Sequence, residues 1–313
     1  MNEAVVQVDG LNKLFGGKPA VEKLSFTVQR GQILGLVGPD AAGKTTTLRI
    51  LAGVLPADSG TVRVAGQDVI HEPEAVKSRI SYMPQHFGLY EDLTVDENIR
   101  FYADLFEVPA RAREQRSGEL LDACGMTPFR RRFAGQLSGG MKRKLGLVCA
   151  LIHTPEVLLL DEPTTGVDPV SRRELWSILY TLVLQGVTVL TSTAYFDEAE
   201  RCHRLLLLHQ GHGLFCGTPA ELKSRLPGTV LSIASSEPQR MRAALTGVDG
   251  LLSAIAMGDA LRVVVDNPER RVPELLARLR SAGLAPGEIS AMGATVEDVF
   301  VFMVSRHAPE RGS

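Results

Sequence analysis

Four cysteines in 313 residues are few, and Cys124, Cys149, Cys202 and Cys216 show no close pairing. That spacing gives neither a disulfide framework nor a metal-ligand motif, and scattered thiols in so long a chain suggest a reducing compartment. An excess of charge is also missing. With 34 basic and 36 acidic residues the formal net charge is −2, so the overall balance gives no reason to expect nucleic acid. No apolar run approaches the ~20 residues that a membrane-spanning helix requires, so any work at a membrane needs another chain to cross it. The opening Met1-Asn2-Glu3-Ala4-Val5 is acidic and lacks an apolar core, so no signal peptide is expected. Short-period repeats, low-complexity tracts and sustained heptads are absent too. What remains is ordinary for a globular protein, 44% hydrophobic and 22% charged, and long enough for a large domain plus a small one.

The pattern along the chain has two textures. Short strands are predicted at Ala4–Val8, Val21–Val28 and Ile33–Val37, the last wholly apolar as in a strand covered on both faces. Helical character follows over Lys44–Gly53, then a strand at Thr61–Val64. From about 86 to 155 the pattern is mostly helical, clearest at Asn98–Leu105, Arg113–Cys124 and Met141–His153. Strands resume at Val157–Leu160, Val187–Thr191 and Leu205–His209, with a helix at Ser171–Gln185 between them. This is strand–helix alternation around a parallel α/β core with a helical insert. After Thr218-Pro219 the order becomes Thr229–Ser235 strand, Pro238–Leu245 helix, Leu251–Met257 and Leu261–Asp266 strands, Val272–Ala282 helix, Glu288–Met292 strand. That β-α-β-β-α-β order is that of a small α+β ferredoxin-like domain, and a helix at Val296–Val304 follows it. The expected division is a core over 1–218, a linker over 219–228 and an accessory domain over 229–313.

Within the core, Gly38-Pro39-Asp40-Ala41-Ala42-Gly43-Lys44-Thr45 fits G-x-x-x-x-G-K-[ST] and lies between an apolar strand and a helix. The loop amides and helix N-terminus suit phosphate oxygens, Lys44 reaches the β/γ-phosphates and Thr45 can ligate Mg²⁺. Asp161 and Glu162 end another apolar strand, where parallel sheets build their sites. One carboxylate suits Mg²⁺ and the other suits water. Leu137-Ser138-Gly139-Gly140-Met141 offers a second anion cradle, since adjacent amides converge on a phosphate where no Cβ intrudes.

Together these strings resemble the ATP-binding subunit of an ABC transporter over about residues 4–218. Tyr82-Met83-Pro84-Gln85, the signature Leu137–Met141, Asp161-Glu162 and Gly166-Val167-Asp168-Pro169 occur in family order. The signature after a helical insert is the most specific of them. Gly88-Leu89-Tyr90-Glu91-Asp92-Leu93-Thr94 and the added C-terminal domain resemble the multidrug or ABC-2-type exporter branch.

The resemblance implies a P-loop ATPase fold with ATP and Mg²⁺ as ligands. It implies that Gly38, Pro39, Asp40, Ala41, Ala42, Gly43, Lys44, Thr45 and Thr46 bind ATP, with Phe15 stacking on adenine. Thr45, Gln85 and Asp161 would hold Mg²⁺, Glu162 and Gln85 would act on the water, and Asp168 would lie at a dimer seam. Ser138, Gly139 and Gly140 would touch the γ-phosphate held by a second ATPase subunit. The implied partners are that subunit and an integral-membrane permease, which would hold this chain on the inner face of the cell membrane. The loop His86-Phe87-Gly88-Leu89-Tyr90 either meets the permease or packs inside the helical insert. Arg130-Arg131-Arg132 reads as a solvated or inter-subunit face, and His203, His209 and His212 as surface histidines.

Two positions depart from the family pattern. Ala41 stands where glycine is general, which strains the turn if it needs positive φ. Ala194 stands where the family places its switch histidine, and a methyl group donates no hydrogen bond to a γ-phosphate. An export ATPase, a soluble ABC ATPase acting on ribosomes or DNA, and a weakly hydrolysing regulatory subunit paired with an active ATPase therefore all stay open. So does heterodimer against homodimer, in which Thr193 or Tyr195 would substitute for the histidine.

Overall fold

The computed structural model describes residues 4–86 and 88–307. Phe87 and the first three residues, with the expectations attached to them, lie outside it. The chain divides into two compact units, Met1–Cys216 and Gly217–Ser313.

In the first unit β1 (Ala4–Phe15) and β2 (Lys18–Gln29) form one antiparallel hairpin around a Gly16-Gly17 turn. Both strands are much longer than the hydrophobic alternation suggests, because their solvent-facing halves are polar and look like loop in the sequence. β3 (Ile33–Val37) then enters a second sheet and leads into α1 (Lys44–Leu51). β4 (Ser59–Val64) and β5 (Gln67–Asp68) return to the first sheet, whose order is β2-β1-β4-β5. After α2 (Pro73–Lys77) come β6 (Ile80–Met83) and the helices α3 (Val95–Leu105), α4 (Ala110–Ala123) and α5 (Gly139–Leu151). β7 (Val157–Asp161), α6 (Pro169–Leu184), β8 (Thr188–Thr193), α7 (Phe196–Ala199), β9 (Arg204–His209) and β10 (His212–Gly217) complete the order. The second sheet runs β10-β9-β3-β8-β7-β6, and β9, β3, β8, β7 and β6 pair in parallel.

Every residue of β3, β7 and β8 is buried, and the two-residue period sends alternate side chains to opposite faces. Leu158 and Leu160 join Ile33 and Trp176 in one core; Leu159, Leu34 and Leu36 join Leu48 and Leu206 in the other. Each fully buried leucine contributes about 1.5–3 kcal/mol. This two-sided burial fixes where β7 ends, and so where its terminal carboxylate lies. Helix starts follow local chemistry: Thr94 and Glu97 form a reciprocal capping box on α3, and Asp168 caps α6 through the amides of Val170 and Ser171.

The second unit begins with α8 (Pro219–Lys223), in the stretch expected as linker. The correction has a local cause. Thr218 and Glu221 cap each other, Pro219 takes the first helical position, and Leu222 is fully buried. β11 (Thr229–Ala234), α9 (Pro238–Ala244), β12 (Leu251–Met257), β13 (Ala260–Val265), α10 (Pro268–Ser281), β14 (Ile289–Met292) and α11 (Val296–His307) follow. The sheet order is β12-β13-β11-β14 with antiparallel neighbours. Helix α10 starts earlier than the apolar pattern suggests because Asn267 caps it and Pro268 opens it.

Candidate functional site

The phosphate loop joins β3 to α1 at the carboxy edge of the parallel sheet. Ala41 has φ 61° and Gly43 φ 100°, so the turn does require left-handed backbone at the alanine. A side chain at Gly43 would also bring a Cβ to 2.5 Å from the Ala20 carbonyl oxygen, so only glycine fits there. Ala42 accepts from the Gly211 amide at 3.2 Å, and the Gly211 carbonyl accepts from Glu22 at 2.9 Å. The loop is thus held from the β9–β10 turn and from β2 together. Lys44 is 4% exposed, and its ammonium donates to the Gly38 and Pro39 carbonyls at 2.8 and 3.0 Å. It also lies 3.7 Å from Glu162 Oε1.

The two strand-end carboxylates do different things. Asp161, 1% exposed, accepts from the Thr45 hydroxyl at 2.9 Å and the Ser192 hydroxyl at 2.7 Å on one oxygen, and from Tyr82 at 3.3 Å on the other. Burial pushes the Tyr82 phenol above its ordinary pKa, Arg49 opposing and Asp161 adding. Glu162 turns away at φ 48°, its amide donating to Ser192 Oγ at 2.9 Å. That left-handed backbone at a non-glycine residue is the kind of strain that collects at working sites. Its carboxylate accepts from Gln85 Nε2 at 2.9 Å and the Thr165 hydroxyl at 3.2 Å. A cleft of about 640 Å³ opens over these groups, walled by Phe15, Asp40, Thr46, Gln85 and Glu162. Phe15 is half-exposed there instead of packing in the core.

The remaining expected residues lie elsewhere on the same unit. Ser138 caps α5 by accepting from the Met141 amide at 3.3 Å; Ser138 and Gly139 are exposed, and Gly140 is buried. An alanine at Gly140 would meet Ser171 Oγ at 2.5 Å, so this glycine seats α5 against α6. Asp168 is exposed, and the Ser171 and Val170 amides hold its carboxyl below the ordinary value. Beyond β8, Ala194 is half-buried. Its neighbours are committed: the Thr193 hydroxyl donates to buried Glu198 at 2.7 Å, and Tyr195 lies under the Arg172 guanidinium at 4.5 Å. Segment 88–94 is fastened to α3, where the Asn98 amide bonds Tyr90, Leu93 and Thr94 and the Tyr102 hydroxyl bonds Gly88. The three histidines form no cluster: His203 Nδ1 accepts from the Ile33 amide, and His212 faces Glu22.

Sequence reasoning missed Ser192, Tyr82 and Arg143. Ser192 stands beside Asp161 in the parallel β7–β8 register, so strand pairing, not local sequence, identifies it. Arg143, on α5, donates to the Gln85 carbonyl. Burial pulls its pKa down while Glu162 opposes that shift. The oxygen donors of Thr45, Gln85 and Asp161 are hard ligands of the sort Mg²⁺ prefers.

Among the described residues no helix is long and apolar enough to cross a membrane. Residues 21–165 match the family model described as ABC transporter. Over 230 residues the chain is 52% identical to the probable multidrug ABC transporter ATP-binding protein YbhF of Escherichia coli (strain K12). That match covers 73% of this chain but only 40% of the relative's length. The daunorubicin/doxorubicin resistance ATP-binding protein DrrA of Streptomyces peucetius is 37% identical over 316 residues, covering 98% of this chain and 94% of its own. A solved ATP-binding subunit of an ABC transporter superposes with a TM-score of 0.65 at 28% identity, over 71% of this chain and 92% of its own. With a phosphate loop, a strand-end Asp-Glu pair and a signature helix on one α/β unit, the chain belongs to the ABC transporter family as an ATP-binding protein.

Proposed function

We propose that this chain hydrolyses ATP to drive export through a separate ABC-2-type membrane permease, docked on the inner face of the cell membrane. The observation that carries the reading is the junction of Lys44, Thr45–Asp161 and Gln85–Glu162 in one cleft. The loop amides, Lys44 and Thr46 bind the phosphates, and Phe15 stacks on the base. Thr45, Gln85 and Asp161 hold Mg²⁺, which supplies charge neutralisation on the phosphate oxygens. Gln85 orients the water, and Glu162 takes its proton as the water oxygen attacks the γ-phosphorus and the bond to the bridging oxygen breaks. Ser138, Gly139 and Gly140 complete the site of a second ATPase subunit, with Asp168 at the seam. The permease meets the apolar surface where Val54 and Leu105 are exposed beside Tyr102 and Phe106.

A second reading concerns the partner. Ala194 supplies no donor, Thr193 spends its hydroxyl on Glu198 and Tyr195 lies under Arg172. Two such sites in a homodimer would both be slow, so the second subunit is a different ATPase bearing the histidine. Losing one preorganised donor costs about 10²–10³ in rate. The purified chain alone is expected to turn over slowly, Ala194→His to raise its rate, and Glu162→Gln to keep ATP affinity while lowering turnover by about 10²–10⁴. Parent-rate hydrolysis by Glu162→Gln would remove Glu162 from the mechanism. Vigorous hydrolysis by the parent with no gain from the histidine would remove the heterodimer.

A further inference from the structure

Arg143 has no part in the mechanism above, yet it places a half-buried cation beside Gln85 and Glu162. Its guanidinium donates to the Gln85 carbonyl, and the Gln85 side chain in turn donates to Glu162 Oε2 at 2.9 Å. The preceding residue of the same helix, Lys142, pairs with Glu91 at 2.6 Å, and the Gly135 amide donates to the Glu91 carbonyl at 3.0 Å. Two consecutive residues of α5 therefore grip both ends of segment 85–91. The N-terminal end of that helix is the exposed Ser138-Gly139 pair, and its C-terminal half is buried from Leu145 to Leu151. Ser138 and Arg143 thus lie on one continuous helix, and Arg143 ends at the carbonyl of the residue whose side chain bonds Glu162.

We propose that Arg143 is a positioning residue, which sets the Gln85–Glu162 pair of this chain's own site according to where the signature end of α5 lies. The inference rests on the reading of Glu162 as the base. Arginine suits the task because its fork reaches a main-chain carbonyl while its charge faces the carboxylate. Misplacing a catalytic group by a fraction of its contact distance costs up to about 100-fold.

The test uses the full chain in single-turnover hydrolysis of labelled ATP, with ATP affinity and Tm measured for each variant. Arg143→Met is expected to lower the hydrolysis rate about 10- to 100-fold with nearly unchanged ATP affinity. Arg143→Lys, which keeps a charge and a donor, regains most of that loss. In combination with Gln85→Ala, Arg143→Met adds little further loss, because both act on one pair. Parent-rate hydrolysis in Arg143→Met, a loss of affinity that accounts for the slower rate, additive losses in the double variant, no regain with lysine, or failure of the methionine variant to fold would each overturn the proposal. Glu162→Gln run in parallel separates the two levels. Parent-rate hydrolysis there defeats the reading of the site and this inference with it, whereas an inert Glu162→Gln beside an undisturbed Arg143→Met defeats this inference alone.

Discussion

At the scale of single residues, the site combines chemistry written locally with chemistry created by folding. The strand–loop–helix around Gly38–Thr45 and the apolar strand that ends at Asp161 are legible because buried runs and a glycine-rich turn mark them in the sequence. Ser192 is not, since its hydroxyl matters only once β8 lies beside β7. The φ of 48° at Glu162 is likewise a product of the turn that aims its carboxylate back at Gln85 and Lys44. Ala41 is the position where sequence and geometry agree most directly: glycine was expected, and φ is 61°. Left-handed backbone costs an L-residue about 1–2 kcal/mol, while glycine's extra freedom in the unfolded chain returns about 0.4–1 kcal/mol of that. Ala41→Gly is therefore expected to stabilise the protein by up to about 1 kcal/mol, read from urea unfolding. A loss of stability would mean that the methyl group packs favourably in the loop.

At the scale of elements, helices and buried strands were readable from periodicity, and their ends were set by caps that the apolar pattern does not report. The antiparallel hairpin of β1 and β2 was half-visible, because its exposed residues carry no hydrophobic mark. In the C-terminal unit one buried ion pair ties α11 to β13: Asp298, 1% exposed, accepts from Arg262 at 3.1 and 2.7 Å. Burial alone would raise the Asp298 pKa, but Arg262 and Thr295 outweigh it and the net shift is downward. The carboxyl thus titrates lower in the folded than in the unfolded chain. Its contribution to stability is complete above the unfolded value, near about pH 4, and is lost as pH falls through the lower folded value. Asp298→Asn leaves Arg262 unpaired and is expected to cost about 3 kcal/mol at neutral pH. The variant should also show a flatter acid limb in thermal unfolding followed from pH 6 downward. An unchanged acid limb would detach Asp298 from the acid sensitivity.

At the scale of the whole molecule, the change of texture near Thr218 is where the chain parts into two compact units. The composition at the start of the second unit misleads, because a five-residue helix rich in polar residues reads as linker. That has a practical result. Helix α8 packs against α11, and Leu222 is fully buried. A fragment ending at residue 228 would carry α8 without its cover, whereas one ending at 217 stops short of it. The 1–217 fragment is expected to fold and to bind ATP as the full chain does, and the 1–228 fragment to be the less soluble. Calorimetry with ATP and light scattering compare them. A folded 1–217 fragment without ATP affinity would assign the second unit a part in the site.

The β9–β10 turn looks, in sequence, like a polar hairpin tip of the sort that tolerates tags, insertions and drift. Its position denies it that freedom. Gly211 bonds Ala42 on one side and Glu22 on the other, so the tip is a spacer of fixed length between the phosphate loop and the outer sheet. An inserted residue there would shift the loop amides themselves, far along the chain from Gly38. The length of an unremarkable surface turn is therefore under the same constraint as the nucleotide site, and variation in this protein should avoid it even though no side chain at the tip touches the chemistry.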